Sequence, residues 1–151
     1  LDALTGLLNQ NSYLKQTQKI KYNSGVLVVF DVDDFKQVND CHGHVKGDLC
    51  LAGIAECIKK AYADFGYCYR IGGDEFCVLL KNRAKEEECK QEFLRRWTEK
   101  RRKFAFFPTV SYGSAPVSGE DIAVVKDRAD RDMYQYKKGR KKHGSSGVLS
   151  K

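Results

Sequence analysis

Apolar positions along the chain change period several times, and each change marks an element. Gly25-Val26-Leu27-Val28-Val29-Phe30 is a continuous apolar run ending on Asp31, as expected of a central strand buried on both faces. Leu51, Ile54, Ala55 and Ile58 follow the spacing of an amphipathic helix, with Asp48 near its start. Tyr67–Ile71 and Phe76–Leu80 read as strands, with Gly72–Glu75 between them as a hairpin turn. Cys89, Phe93 and Trp97 share one face of a helix over Glu86–Lys100, and Thr109–Ala115 alternates as a strand. Ile122, Val125, Ala129, Met133 and Tyr136 mark a last helix. A short polar helix over Asn11–Lys19 precedes these elements, and Phe35–Asp40 reads as a helical turn.

The order is therefore β-α-β-β-α-β-α after a leading helix. Two strands joined by a tight turn cannot lie in an all-parallel sheet. The fold class is α/β (α+β): a split-βαβ, ferredoxin-like or palm-type mixed, largely antiparallel sheet flanked by helices on one side or both. The tail Gly144-Ser145-Ser146-Gly147 reads as a turn or fraying end, and Val148-Leu149 as a short edge strand.

Composition narrows the class. With 151 residues, 42% of them hydrophobic and 31% charged, the chain suits one domain with one core and excludes a disordered tract. No apolar run reaches the roughly 18 residues of a membrane span. There is no secretory signal and no initiator Met, so the chain reads as a fragment of something longer. Cysteines at 41, 50, 57, 68, 77 and 89 form no C-x-x-C pair and no zinc spacing, which points to reduced thiols used as small hydrophobes in the cytoplasm. The net charge of +7 admits a nucleotide or nucleic-acid partner. A nucleic-acid face needs aromatics interleaved with Lys and Arg. Tyr134 and Tyr136 beside the basic run Lys137–Lys142 read instead as packing residues, so no nucleic-acid contact is expected.

The candidate chemistry begins at Asp31-Val32-Asp33-Asp34, where carboxylates follow the central strand. Clustered carboxylates repel one another and are costly to desolvate without a cation, and Mg²⁺ takes one or two carboxylates plus waters and phosphates. Asp31 is the better ligand and Asp34 the better cap for the Phe35 turn, a role Asp33 could share. Gly72-Gly73-Asp74-Glu75 supplies the other half: paired glycines permit positive φ and close approach of a phosphate, and two acids share one turn. Lys137 and Lys141, four apart, project from one helix face, and Lys36 adds another positive partner for a triphosphate.

These residues resemble the GGDEF family, the diguanylate cyclase catalytic domain. Asp2-Ala3-Leu4-Thr5-Gly6-Leu7-Leu8-Asn9 looks like its opening motif, and Phe30 to Asp40 like its F-D-x-D-x-F-K-x-x-N-D stretch. His42-Gly43-His44, Gly47-Asp48 and Leu51 continue the pattern, and Arg70 to Phe76 matches the naming signature. Thr109 to Ala115 resembles the T-x-S-x-G-x-A strand, and Ala129-Asp130, Met133-Tyr134 and Lys137 resemble the last helix. The resemblance is collinear over nearly the whole chain and divides it into a catalytic domain at 1–143 and a tail at 144–151, with a sensory or dimerising region N-terminal to both.

The resemblance implies a sheet as in nucleotide cyclases and condensation of two GTP into cyclic di-GMP with release of two pyrophosphates. Asp31, Asp74 and the Val32 carbonyl would bind Mg²⁺ or Mn²⁺. Glu75 would be a further ligand or would assist deprotonation of the ribose 3′-hydroxyl. Asn39 and Asp48 would hydrogen-bond guanine, Lys36 and Lys137 would contact phosphates, and Phe35, Leu51, Gly72 and Gly73 would shape the pocket. Each domain would hold one GTP, so a homodimer is required. The full-length protein could be membrane-anchored while this domain stays cytoplasmic.

Two departures matter. Lys137-Lys138-Gly139-Arg140 is one residue short of the family's K-x-x-G-R, so Lys141 or Arg140 must supply the second phosphate grip. The R-x-x-D of the family's product-inhibition site would fall at Ala63 and Gly66, which implies no feedback through it. The alternative to a working cyclase is a catalytically inactive GTP-binding signalling module.

Overall fold

The structure is a computed structural model that describes residues 1–18 and 25–142, with side chains described to 139. Four strands form one sheet: β1 (Gly25–Val32), β2 (Gly66–Arg70), β3 (Glu75–Leu80) and β4 (Val110–Val117), in the order β2-β3-β1-β4. Every neighbouring pair is antiparallel. This is the split-βαβ arrangement, with β3 inserted between β1 and β2.

Helices cover both faces. On one lie α3 (His44–Tyr62) and α4 (Glu86–Lys103), and on the other α1 (Gln10–Thr17) and α5 (Ile122–Lys142). The apolar run of β1 is split between the two cores. Val26, Val28, Phe30 and Val32 pack on the α3/α4 side, and Leu27 and Val29 on the α1/α5 side. This explains why the run shows no alternation. Phe35–His42 forms a full helix, α2, where a turn was expected, and Gly43 at φ 88° joins it to α3. The Asn11–Lys19 helix ends at Thr17, with Lys19 outside the described residues, as are the Gly144–Gly147 tail and the Val148-Leu149 strand.

α5 and β4 are in backbone contact. A Cβ on Gly113 would overlap the Met133 N and Ala129 O of α5. Asp132 and Tyr136 lie one turn apart on α5 and reach the outer edge of β4. Ser114 N–H donates to Asp132 Oδ2 at 2.9 Å, and the Tyr136 ring sits 4.6 Å from that of Tyr112. A sheet edge is thereby covered rather than left open to another chain. Cys50, Cys57, Cys68, Cys77 and Cys89 are buried among apolar groups, and burial pushes the Cys50 and Cys68 thiols up to about 12. Among the described residues, no helix is long and apolar enough to cross a membrane.

Candidate active site

The ends of β1 and β3 meet in register, with Asp31 opposite Glu75 on one side and opposite Ser111 of β4 on the other. The turn after Ile71 folds back onto β1 through Val32 N–H, which donates to the Asp74 carbonyl at 3.2 Å. A cleft of about 500 Å³ opens there, lined by Asp31, Val32, Asp33, Asp34, Phe35, Lys36, Asp74, Tyr134, Lys137 and Lys138. Asp31 and Asp74 share it. Burial first, and the Asp31 carboxylate next, push the Asp74 carboxyl above its ordinary value, while Lys137 pulls it down. Lys137 Nζ donates to Asp31 Oδ2 at 2.7 Å, so the phosphate-binding candidate is here the counter-ion of the metal-binding candidate.

Glu75 is engaged elsewhere. Its Oε2 lies 3.5 Å from Lys126 Nζ, which in turn donates to Asp130 Oδ2 at 2.7 Å. Burial raises the Glu75 carboxyl and Lys126 opposes the rise. Among the described residues, no three carboxylate, thiol or imidazole groups converge as a ready-made metal cage. Two carboxylates at an open cleft that Val32 also lines are nevertheless the hard-oxygen donors that Mg²⁺ accepts alongside waters and phosphates. The donor chemistry fits the cation.

Neither Asp33 nor Asp34 caps α2 with its side chain. Asp33 is buried and accepts from Thr109 Oγ1 and Ser111 Oγ, both at 2.7 Å, while its N–H donates to the Thr109 carbonyl. It ties the end of β1 to β4. Asp34 stands at the N-cap position with φ 53°, in the left-handed region, and makes no side-chain cap. Its carbonyl accepts from the Gln37 N–H instead. The capping expectation failed because Thr109 and Ser111, distant in sequence, compete for Asp33.

The glycine expectation is also corrected, since neither Gly72 nor Gly73 has positive φ. Their carbonyls instead accept from Arg70, whose Nη2 donates to the Gly73 oxygen at 2.7 Å and whose Nη1 pairs with Asp2 at 3.2 Å. Arg70 thus clamps the turn to the N-terminal segment, which also reaches β2 through Leu8. A Cβ on Gly73 would meet nothing within 4 Å, so the position is open, although neither glycine is among the residues lining the cleft.

Asn39 and Asp48 lie outside the cleft lining, on α2 and α3. Asn39 Oδ1 occupies the space where a Cβ on Gly47 would stand, which brings it beside the residue preceding Asp48. Leu51 is 3% exposed and belongs to the core beneath these helices. Arg140 and Lys141 fall in the last turn of α5, and their side chains lie outside the described residues. Three site residues escaped the sequence reading. Tyr134 is 61% exposed and lines the cleft, which corrects its reading as a packing residue. With Lys138 it shares the helical face of Lys137, a spacing the sequence already displays. Lys126 lies eleven residues before Lys137, close to three turns and so on the same face.

The family described as "Diguanylate cyclase, GGDEF domain" matches residues 1–143. Diguanylate cyclase DgcS of Shewanella oneidensis is 31% identical over 144 residues, covering 90% of this chain and 49% of that protein. Diguanylate cyclase DgcZ of Escherichia coli is 31% identical over 147 residues, covering 91% of this chain and 50% of that protein. The crystal structure of the GGDEF domain of DgcB from Caulobacter crescentus, in complex with c-di-GMP, superimposes with a TM-score of 0.75 at 26% identity, over 91% of this chain and 90% of that one. The chain spans half or less of the length of the first curated relatives it matches.

Proposed function

The chain belongs to the GGDEF family, and from that premise we propose that it is a diguanylate cyclase domain joining two GTP into cyclic di-GMP with release of two pyrophosphates. The observation that carries the reading is the meeting of Asp31 and Asp74 at one cleft beside the Lys137 ammonium. A carboxyl raised by burial and by a neighbouring acid, next to a cation of the protein, makes a site suited to polyphosphate with a divalent ion.

Asp31, Asp74 and the Val32 carbonyl would hold Mg²⁺ or Mn²⁺, which when bound polarises the α-phosphate and lowers the pKa of the attacking hydroxyl. Lys36, Lys137 and Lys138 supply positive charge for the phosphates, with Lys141 one turn beyond Lys137. Tyr134 and Phe35 both line the cleft and supply apolar wall. Glu75, raised by burial, would ligate the metal or assist deprotonation of the ribose 3′-hydroxyl once it leaves Lys126. Asn39 and Asp48 read guanine. A carboxylate at position 48 accepts from the N1–H and 2-amino groups that adenine lacks.

One cleft holds one GTP, so two copies of the domain face each other, each 3′-hydroxyl meeting the other's α-phosphate. An N-terminal sensory or dimerising segment would set that approach, with the Asp2–Arg70 clamp lying where it would enter. The buried thiols fit a reducing compartment, and we place the domain in the cytoplasm. The test is Asp31→Asn. The account expects loss of GTP turnover of at least about a hundredfold, with a near-native circular dichroism spectrum. Turnover within a few-fold of the parent chain would remove Asp31 from the site.

A further inference from the structure

Lys126 sits in a place the family reading does not use. Its side chain is 21% exposed, it reaches from α5 to the start of β3, and it bonds two acids at once, Asp130 and Glu75. Asp130 depends on it, because Asp130 Oδ1 is buried without a hydrogen-bond partner while Oδ2 takes the Lys126 ammonium. Glu75 is drawn toward the same ammonium and is absent from the cleft lining, although Asp31 stands opposite it in the ladder. α5 therefore offers one lysine to each strand end, Lys137 to Asp31 and Lys126 to Glu75. Lys137 can be drawn away by a phosphate entering the cleft that it lines, whereas Lys126 is braced by Asp130 behind it.

We propose that Lys126 is a positioning residue: with Asp130 it holds the Glu75 carboxylate toward α5, so that cation binding falls to Asp31 and Asp74, and the charge at position 126 sets its strength. The inference rests on the metal-binding reading above. A fixed positive charge next to the site weakens a divalent cation's attraction to the acids. Removing it both deepens the negative potential and frees Glu75 to ligate. A purely structural lysine would act in the opposite direction, since its loss would loosen the start of β3 and weaken binding.

The experiment is titration of the chain with Mn²⁺ alone, without nucleotide, following free Mn²⁺ by electron paramagnetic resonance. Lys126→Met should bind Mn²⁺ about threefold to tenfold more tightly than the parent, and Lys126→Arg should match the parent. Glu75→Gln should cost less than about threefold in the parent but abolish the gain in Lys126→Met, a coupling read from the double-mutant cycle. Asp31→Asn should weaken binding by more than about tenfold. Should Lys126→Met not fold, Lys126→Gln and the Glu75→Gln single variant decide the matter. The proposal is overturned if neutral substitutions at 126 leave affinity unchanged or lower, or if Glu75→Gln weakens Mn²⁺ as much as Asp31→Asn. Failure of the parent chain to bind Mn²⁺ would overturn the metal-binding reading as well. Binding by the parent with no change at 126 would overturn this proposal alone.

Discussion

Asp74, in the turn before β3, carries a charge that opposes folding. The Asp74 carboxyl is raised by burial and by Asp31. A raised carboxyl means that the folded chain holds the proton more tightly than the unfolded chain does. Ionising Asp74 therefore costs stability as pH rises from the unfolded value through the folded one. In chelator at pH 7, Asp74→Asn should melt about 2 °C higher than the parent. The gain should vanish below about pH 4, where the parent is protonated in both states. Thermal melts across that range check it, and a lower melting point at pH 7 would contradict the like-charge account. Asp33 plays the other part, since two hydroxyls satisfy it and it ties the site to β4. The sequence displayed three aspartates around the end of β1 but could not divide their duties, because Asp33's partners lie at Thr109 and Ser111 and Asp31's lies at Lys137.

Among the elements, the contact between β4 and α5 sets where the lysines stand. Gly113 brings the two backbones together, and both Lys126 and Lys137 depend on the helix lying at that distance. Gly113→Ala should cost about 1–3 kcal/mol of stability through overpacking, and should weaken Mn²⁺ and GTP binding together. Urea unfolding and titration check this. A stable variant with unchanged affinity would show that the helix tolerates retreat. The elements themselves were legible from apolar periodicity, including the buried β1 and the amphipathic α3 and α5. Less legible was what decides contacts across the fold: Arg70 clamping a turn whose glycines need no positive φ, and Asp132 and Tyr136 covering the β4 edge.

For the whole molecule, the questions are feedback and pairing. Ala63 ends α3 and Gly66 opens β2, where a Cβ on Gly66 would overlap the Leu79 carbonyl. The backbone as it stands admits no aspartate there. Cyclic di-GMP should therefore not inhibit the chain through that site at low micromolar concentration. Inhibition accompanied by bound product near Ala63 would contradict the expectation. The site's acids, its lysines and the candidate guanine pair all lie in one chain, but the proposed transfer joins two nucleotides, so on that proposal the rate should depend on how often two loaded chains meet. The most direct measurement is incubation of the chain with GTP and Mg²⁺ over a range of chain concentrations, with product and pyrophosphate quantified together. The account predicts cyclic di-GMP with two pyrophosphates released per product, and a rate per chain that rises with concentration. GTP bound normally with no cyclic di-GMP formed at any concentration would contradict it and leave a GTP-binding module in its place.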